Sequence, residues 1–497
     1  MEHTDGNIRK SLLSGLFWVL LANLIVKPFW LLVIEMGVQD TVGAEMYGFY
    51  FDIFSISYIF NILLDLGITN FNTRNIAQHP KLISKHLSGI LSIKLLLFGL
   101  YVVVAFSAGA LLGYDSIQFK LLGWLTLNQF LSSLILYLRS NFEGLLLFKW
   151  DSLLSVLDRV LMIVICGLML WAPQLTIGGR QFTVFHFVYA QTAAYLVTAL
   201  VALCVLLRRT GLRRLRWDKP FTLAILKKSL PFALLVLLMA SYNRIDPVML
   251  KRLSPNGFGD FNAGIYAGAF RLLDALTMIA YLVSVPLLPI YSKLTKNFDK
   301  GSSPTRELNE TTRMMFSLVM VFAITASCTL CSVGHELMDL FFSDNVAEYA
   351  TVFRILVFCI VPISATYVFG TLLTAAGRLR QLNIFAALSL LINLVVNALC
   401  IPRWGATGSA WAAIGAQSFM AIVEIVASVK IFRMKPSPSY ILKLVLFALL
   451  IIGCTLCYPK IAWWTAIPIM ALVAVGLALL LRLVDMKEIL KTIKNKS

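Results

Sequence analysis

The sequence predicts an all-helical protein that crosses a membrane about fourteen times, because apolar stretches of membrane-spanning length recur along it. Of its 497 residues, 59% are hydrophobic and only 14% are charged, and the mean hydropathy is +0.82. So much apolar surface exceeds what a water-soluble core could bury, which makes the bilayer the natural solvent. The apolar stretches are about 20 residues or longer, the length that crosses a hydrocarbon core of about 30 Å.

The apolar runs define fourteen spans whose ends are fixed to within about 2 to 4 residues. The runs are too long and too continuous for the strands of a membrane barrel, which would show segments of about ten alternating residues. Helices are therefore predicted throughout. The predicted spans are residues 11–36, 44–68, 84–112, 118–143, 149–171, 183–207, 229–253, 263–291, 311–335, 346–376, 381–401, 407–432, 440–458 and 462–483.

The distribution of basic residues tests this count, because lysine and arginine collect in cytoplasmic loops. With fourteen spans and a cytoplasmic N-terminus, 31 of the 43 lysines and arginines fall in inner loops and tails, or within about four residues of a span end that adjoins them. The bias predicts that both termini are cytoplasmic, and it explains most of the net charge of +18 without a nucleic-acid partner. Six cations lie deeper inside the spans: Lys27, Lys94, Arg159, Arg244, Arg271 and Arg354.

The cysteines and histidines predict no metal site. All eight cysteines lie in or beside apolar spans, so Cys328 with Cys331 and Cys454 with Cys457 indicate packing rather than ligands or disulfides. The five histidines are scattered. The first span is too long for a signal peptide and lacks a small-residue cleavage site, so we expect a membrane anchor there.

A basic stretch at residues 208–228 divides the chain into two similar halves. "IRKSLLSGLFWVLL" resembles "LKKSLPFALLVLLM", since each has a basic pair, Ser-Leu and an apolar helix. Pro28 in span 1 corresponds to Pro247 in span 7. Parallel repeats related by an axis along the membrane normal are typical of transporters that bind substrate between two lobes. The predicted organisation is a first lobe at 1–207, a linker on the inner leaflet at 208–228, a second lobe at 229–433, and two added helices with a tail at 434–497.

Four of the intramembrane cations lie at a similar depth. At 1.5 Å per residue, Lys27 and Arg244 lie about 13 Å from the outer ends of their spans, and Arg271 and Arg354 about 12 Å. A charge at mid-membrane costs about 2.5 to 3.5 kcal/mol and usually faces a water-filled path or a partner. We therefore predict a cationic cavity, lined by these four residues, that accepts an anion.

Structural ion pairing is the alternative for these cations. Arg244 could pair with Asp246 or Asp274, and Asp65, Asp246 and Asp274 are also candidates for coupling transport to sodium ions or protons. Fewer acids than cations are placed to neutralise the buried charges, because several of the acids lie near helix ends. The resulting surplus of positive charge favours the anion site. The buried acids are chiefly Asp52, Asp65, Asp158, Asp246, Asp274 and Glu424.

At these residues the sequence resembles a known family. The stretch "YGFYFDIFSISYIFNILLDLG" followed by "TRNIA", the start "LKKSLPFALL" of span 7, and "AGIYAGAFRLLDAL" in span 8 are similar to Wzx-type flippases for O-antigen and capsule precursors. That family belongs to the MOP superfamily, with the MATE exporters and the lipid II flippase MurJ. Lys27 matches the basic position in span 1 of such flippases. Arg271, in "AFRL", matches the arginine of the similar span 8 motif in the lipid II flippase.

The resemblance implies a bacterial cytoplasmic (inner) membrane protein whose two lobes alternate between inward-open and outward-open states. Its implied cargo is a polyprenyl-diphosphate-linked oligosaccharide for lipopolysaccharide or capsule, and the polysaccharide polymerase machinery is a possible partner. Aromatic residues near the cations could stack on sugar rings, although such residues more often pack or face lipid. These are Trp30, Tyr50, Phe54, Tyr242, Tyr266 and Phe270.

Two other classes of function make different demands on the sequence. An ion-coupled multidrug exporter of the MATE type would share the fold but line its cavity with acids, whereas span 1 has only Glu35, at its outer edge. A membrane-embedded glycosyltransferase or polymerase would need a sizeable outer loop or a carboxylate cluster, and neither is evident. We therefore predict a transporter that is not an enzyme and has no cofactor. The sugar, the coupling ion and the oligomeric state stay open.

Overall fold

The computed structural model describes residues 26–69, 72–73, 76, 83–145, 147–176, 181–210, 219–284, 287–295, 306–434, 437–457 and 463–483. Every regular element within these residues is a helix. The predicted all-helical fold class is therefore confirmed.

Most of the longer helices correspond to predicted spans. In chain order they are α1 (Val26–Leu64), α2 (Ile83–Leu111), α3 (Ser116–Gly144), α4 (Phe148–Trp171), α5 (Val184–Thr210), α6 (Lys219–Leu253), α7 (Gly259–Ser284), α8 (Leu287–Thr295), α9 (Arg306–Ser332), α10 (Gly334–Phe341), α11 (Val346–Ala375), α12 (Leu379–Ile431), α13 (Pro438–Cys457) and α14 (Trp463–Leu480).

Twelve of the described helices are long and apolar enough to cross a membrane, and two of these hold two predicted spans each. The 53 residues of α12 would extend about 80 Å, far more than one crossing needs. The helical path breaks at Gly405 (φ 53°, ψ −131°) in α12 and at Gly43 (φ 80°, ψ 162°) in α1. Glycine adopts such positive φ values without strain from a Cβ atom. The two breaks reconcile twelve helices with fourteen spans, although residues 11–25 of span 1 lie outside the described residues.

The first compact unit comprises residues 1–252 and 257–264. Its apolar core joins α2, α3, α4 and α5 through buried side chains such as Leu97, Tyr137 and Leu154. Most of α6 belongs to this unit, whereas the sequence repeat places span 7 in the second lobe. The contacts that hold α6 here include an ion pair between Arg252 on α6 and Asp52 on α1, with 3.0 Å between Nη1 and Oδ1. The division of the lobes at 208–228 stays a prediction.

The start of α6 also differs from the expected linker. The helix begins at Lys219, ten residues before the predicted start of span 7, so residues 219–228 are helical. Residues 211–218 of the expected linker lie outside the described residues.

The second compact unit comprises residues 253–256 and 265–497. One of its apolar clusters joins α9, α13 and α14 through Cys328, Phe447 and Met470. The two halves of α12 pack against each other, and the Ser389 hydroxyl donates a hydrogen bond of 2.6 Å to the carbonyl oxygen of Ala416. The unit thus contains a helical hairpin made from a single broken helix.

Large apolar side chains cover the outer faces of the bundle. Leu442 on α13 and Leu472 on α14 are 69% and 74% exposed, within helices of membrane-spanning length. Leaving such a side chain in water forgoes about 1.5 to 3 kcal/mol relative to burial, so these faces are suited to lipid. The protein is a multi-pass membrane protein.

Candidate functional site

Lys27 lies in a group of charged side chains contributed by three helices of the first unit. It is half-buried on α1 and lies within electrostatic range of Arg159 on α4, Arg139 on α3 and, with opposite sign, Asp158. The Arg159 Nε atom is 3.6 Å from Asp158 Oδ2. Arg139 is engaged by Asp151, with 2.7 Å between Nε and Oδ1. Lys27 and Arg159 together make this part of the first unit cationic.

Arg244 lies on α6 against two aromatic rings of α1. Its Cζ atom is 5.3 Å from the centroid of Tyr58 and 5.9 Å from that of Phe51. The face of an aromatic ring attracts a guanidinium, so the two rings help to position Arg244. Asp246, two residues later, is 1% exposed. The sequence-predicted pair of opposite charges on span 7 therefore lies inside the first unit.

A continuous row of aromatic rings lies between Arg159 and Arg244. The Arg159 Cζ atom is 5.7 Å from the Trp30 centroid at one end of the row, and Arg244 rests on Tyr58 at the other. Successive centroids along the row are 5.5 to 6.0 Å apart. The row, which we call the aromatic row, consists of Trp30, Phe187, Tyr50, Phe54 and Tyr58. Trp30 and Tyr50 are buried, which fits packing at those positions, whereas Tyr58 is exposed.

Arg271 and Asp274 form a close pair on α7 in the second unit. The Arg271 Nη1 atom lies 3.9 Å from Asp274 Oδ2, one helical turn away. Arg271 is 5% exposed, whereas the Asp274 side chain is 28% exposed. Asp274 also faces Tyr367 on α11. The predicted cation of span 8 is thus buried and oriented by an acid on its own helix.

Arg354 lies in a different environment from that of Arg271. It is exposed on α11, and its Cγ atom lies 3.0 Å from where a Cβ atom would stand on Gly334. It also lies within electrostatic range of Cys331 at the end of α9. These neighbours belong to α9 and α10 rather than to the helix that carries Arg271. The single cavity predicted for Lys27, Arg244, Arg271 and Arg354 stays a prediction.

Asp65 is the partner of Lys94, a cation that the sequence places inside the membrane. Lys94 on α2 is fully buried, and its Nζ atom lies 2.7 Å from Asp65 Oδ1. It also donates hydrogen bonds of 2.9 Å to the Leu64 carbonyl oxygen and 2.8 Å to the Ser133 hydroxyl. Pairing therefore accounts for both residues. Coupling by Asp65 stays a prediction.

Asp52 and Arg252 form an ion pair that the sequence alone does not reveal. The Tyr114 hydroxyl, in the α2–α3 loop, also donates to Asp52 Oδ2 at 3.3 Å. Burial, and then the Asp52 carboxylate, raises the pKa of Tyr114, so its hydroxyl remains a neutral donor. Asp52 is among the acids that the sequence predicts to be buried, but its partner is 200 residues away, and no local spacing could indicate it.

The sequence and the fold are similar to those of known proteins. The sequence matches the model of the family described as polysaccharide biosynthesis protein over residues 12–295, more than half of the chain. The chain belongs to this family. No curated protein matches the sequence significantly.

Solved structures of membrane transporters share the fold of this polysaccharide biosynthesis protein. The lipid II flippase MurJ in an inward-closed conformation is 13% identical, with a TM-score of 0.67, over 95% of this chain and 97% of that chain. An inward-facing multidrug resistance MATE family transporter of the MOP superfamily is 16% identical, with a TM-score of 0.64, over 81% and 94%. A MOP superfamily transporter from Pyrococcus furiosus is 15% identical, with a TM-score of 0.50, over 86% and 94%.

These structural similarities establish the fold of the present chain. Together with the family match, they confirm the resemblance to Wzx-type flippases that the sequence motifs predict. The family match links the chain to polysaccharide biosynthesis, and the fold is one that flippases and exporters share.

Proposed function

We propose that the protein moves a polyprenyl-diphosphate-linked oligosaccharide across the cytoplasmic membrane by alternating access, for surface polysaccharide biosynthesis. The family supplies the link to polysaccharides, and the fold is shared with a protein described as a lipid II flippase. The topology predicted from the basic loops, with both termini in the cytoplasm, fits a protein that collects its cargo on the cytoplasmic face.

The observation that carries the proposal is the placement of cations in the membrane-spanning helices. Lys27 and Arg159 lie together in the first unit, Arg244 lies on the same unit, and Arg271 is buried in the second. A diphosphate accepts many charge-assisted hydrogen bonds, and the planar donor fork of arginine matches its oxygens. A cationic cavity would carry the charged headgroup while the prenyl chain stays in lipid.

The exposed end of the aromatic row, at Tyr58, supports the glycan part of the cargo. Sugar rings have apolar faces that pack on aromatic side chains, whereas Trp30, Phe187 and Tyr50 are buried within the protein. Tyr58, the exposed member of the row, stands next to Arg244, so a sugar at Tyr58 would lie beside the cation that binds the diphosphate. Such an arrangement favours a cargo with an anionic and a saccharide part.

A multidrug exporter is the second candidate, because a MATE family transporter shares the fold. An exporter of organic cations needs free carboxylates in its cavity. Here Asp65 is paired with Lys94, and Asp52 is paired with Arg252. The Pyrococcus furiosus transporter is described as having a binding pocket of reverse polarity that suggests a different function. The cationic residues of the present chain favour the anionic cargo.

Substitutions at Arg271 test the proposal in cells that depend on this gene for surface glycan. We expect Arg271→Ala to abolish export of the lipid-linked glycan while the protein remains in the membrane. Arg271→Lys should restore export in part, because it keeps the charge but loses the forked geometry. The readouts are surface glycan by blotting, accumulation of lipid-linked oligosaccharide in the membrane, and protein level.

Matched variants make the result decisive. Lys27→Ala and Arg244→Ala should show the same defect more weakly, whereas Arg380→Ala, at an exposed cation at the start of α12, should export normally. Normal surface glycan in cells that express the triple alanine variant at positions 27, 244 and 271 would contradict the anionic cargo. A loss of drug efflux with intact glycan would favour the exporter instead.

A further inference from the structure

The second unit contains a cavity that the proposed transport cycle does not use. It has a volume of about 730 Å³, within the range of small-molecule sites. The cavity lies where the start of α9, the end of α12 and the start of α13 meet, with Phe369 of α11 in its wall. All three helix ends adjoin loops that the charge bias predicts to be cytoplasmic, so the cavity is expected at the inner surface of the bilayer.

The lining of this cavity is amphiphilic. Arg313 and Arg433 supply its positive charge, and apolar side chains such as Phe316, Phe369 and Ile425 form much of the remaining wall. Its one acid, Glu310, is engaged by Arg306 outside the cavity, with 2.6 Å between Nε and Oε1. Neither cavity arginine has a carboxylate partner among the residues that the structure describes. The cavity therefore combines a net positive charge with an apolar wall.

The position of Arg313 is set by its neighbours. Its Cζ atom lies 4.7 Å from the centroid of Tyr440, and the Tyr440 hydroxyl is 2.8 Å from the Ser317 hydroxyl. Ser317 in turn donates a hydrogen bond of 2.9 Å to the Arg313 carbonyl oxygen. A guanidinium stacked on a ring has its in-plane N–H groups free to bind an anion. These contacts hold Arg313 in place as a hydrogen-bond donor that can bind an anion in the cavity.

The backbone at Arg433 makes glycine a suitable test substitution. Arg433 follows the last residues of α12 with a φ of 46°, in the left-handed region. The next amide, of Met434, donates to the Val429 carbonyl oxygen at 3.0 Å, which closes the helix end in the manner for which glycine is preferred. An arginine in this place is strained relative to glycine. Replacing Arg433 by glycine would therefore remove the cavity charge without disturbing the helix end.

We propose that this cavity binds an anionic glycerophospholipid of the inner leaflet, with its phosphate on Arg313 and Arg433 and its acyl chains along the apolar wall. Basic pockets between helices on the cytoplasmic side of membrane proteins bind anionic lipid headgroups. Phosphatidylglycerol represents this class of lipid, because its phosphate can accept hydrogen bonds from both arginines and its acyl chains suit the apolar wall. The site requires only that the chain lies in a bilayer, so it is independent of the cargo.

Thermal unfolding of the purified full-length protein in neutral detergent tests the site. Phosphatidylglycerol should raise the Tm by on the order of 5 °C, while phosphatidylcholine and inorganic phosphate should leave it unchanged. Arg433→Gly is the sharpest variant. Because glycine relieves the left-handed strain, the lipid-free Tm should equal or exceed that of the wild type, yet at least half of the lipid-dependent shift should be lost.

Two further variants test the second arginine of the cavity and provide a control. Arg313→Gln should also lose at least half of the shift, whereas Arg380→Gln, which removes an exposed arginine at the other end of α12, should keep all of it. A full phosphatidylglycerol shift in both Arg433→Gly and Arg313→Gln would overturn the proposal. So would an equal shift with inorganic phosphate, or a shift with a polyprenyl phosphate and none with phosphatidylglycerol.

Discussion

Lys94 shows how single residues reconcile buried charge with an apolar surrounding. A fully buried ammonium group is costly unless its three donors are satisfied. The Lys94 ammonium donates hydrogen bonds to the Asp65 carboxylate, the Leu64 carbonyl oxygen and the Ser133 hydroxyl. Lys27 differs, because the charged groups that act on it are mostly of its own sign and it is only half-buried. A paired cation such as Lys94 stabilises the fold, whereas a cation such as Lys27 is suited to bind an anion.

The Lys94–Asp65 pair leads to a prediction about stability. Asp65→Asn removes the negative partner and leaves a buried cation, which should lower the free energy of unfolding by about 3 to 5 kcal/mol. Lys94→Met should be similarly harmful, and the double variant should be less destabilised than the sum of the two. The measurement is a double-mutant cycle on the Tm of the purified protein. An Asp65→Asn protein with wild-type Tm but no export would instead show that Asp65 couples transport.

At the scale of elements, the packing of α1 against the start of α7 depends on a close backbone approach. A Cβ atom on Gly264 would stand 1.8 Å from the Ala44 carbonyl oxygen. The Gln39 amide also donates a hydrogen bond of 2.8 Å to the Gly264 carbonyl oxygen. No side chain could fit there without moving one of the two helices. The glycine is therefore required by its neighbour rather than by its own backbone conformation.

Gly264→Ala is expected to destabilise the protein by about 1 to 3 kcal/mol or more, because the clash is with backbone rather than with a flexible side chain. Gly99→Ala on α2 is the matched control, since a Cβ atom there meets nothing within 4 Å. This control should keep or raise the Tm, because alanine suits a helix better than glycine. Equal Tm values for the two purified variants would argue against the close approach.

The elements themselves could be predicted from the sequence far better than the contacts between them. Span length and hydropathy are local properties, so the ends of α2, α3 and α11 lie within two residues of their predicted positions. Rise per residue gives the depth of a charge but not the helix face, which depends on neighbouring helices. Arg354 matches the predicted depth of Arg271 in sequence, yet it is exposed whereas Arg271 is buried.

Pairings between distant segments could not be predicted for the same reason. Asp65 and Lys94 are 29 residues apart, and Asp52 and Arg252 are 200 residues apart. The predicted spans put Arg139 near the inner end of span 4, and only the structure shows that it joins the charged group around Lys27. In each case the sequence shows a charge near an apolar span, and the packing of several helices decides which charge neutralises it.

At the scale of the whole molecule, topology depends on whether α12 crosses the membrane once or twice. A straight helix of this length would project far beyond a bilayer about 30 Å thick. The break at Gly405 follows three exposed residues, Pro402, Arg403 and Trp404. Tryptophan and arginine are suited to the membrane–water interface. The break is therefore expected to lie at the outer surface, where the chain turns back into the bilayer.

Reporter fusions at three points test this topology. Fourteen spans with a cytoplasmic N-terminus place Leu207 and Met434 in the cytoplasm and Arg403 in the periplasm. Alkaline phosphatase fused after Arg403 should be active, because it folds only when exported, and fusions after Leu207 and Met434 should be inactive. Green fluorescent protein should give the opposite pattern, so that an inactive fusion is distinguished from a poorly expressed one.

If α12 crossed only once, Met434 would lie on the opposite side from the start of that helix, and its phosphatase fusion would be active. Activity after Leu207 would likewise overturn the positive-inside assignment, and with it the cytoplasmic position expected for the lipid cavity.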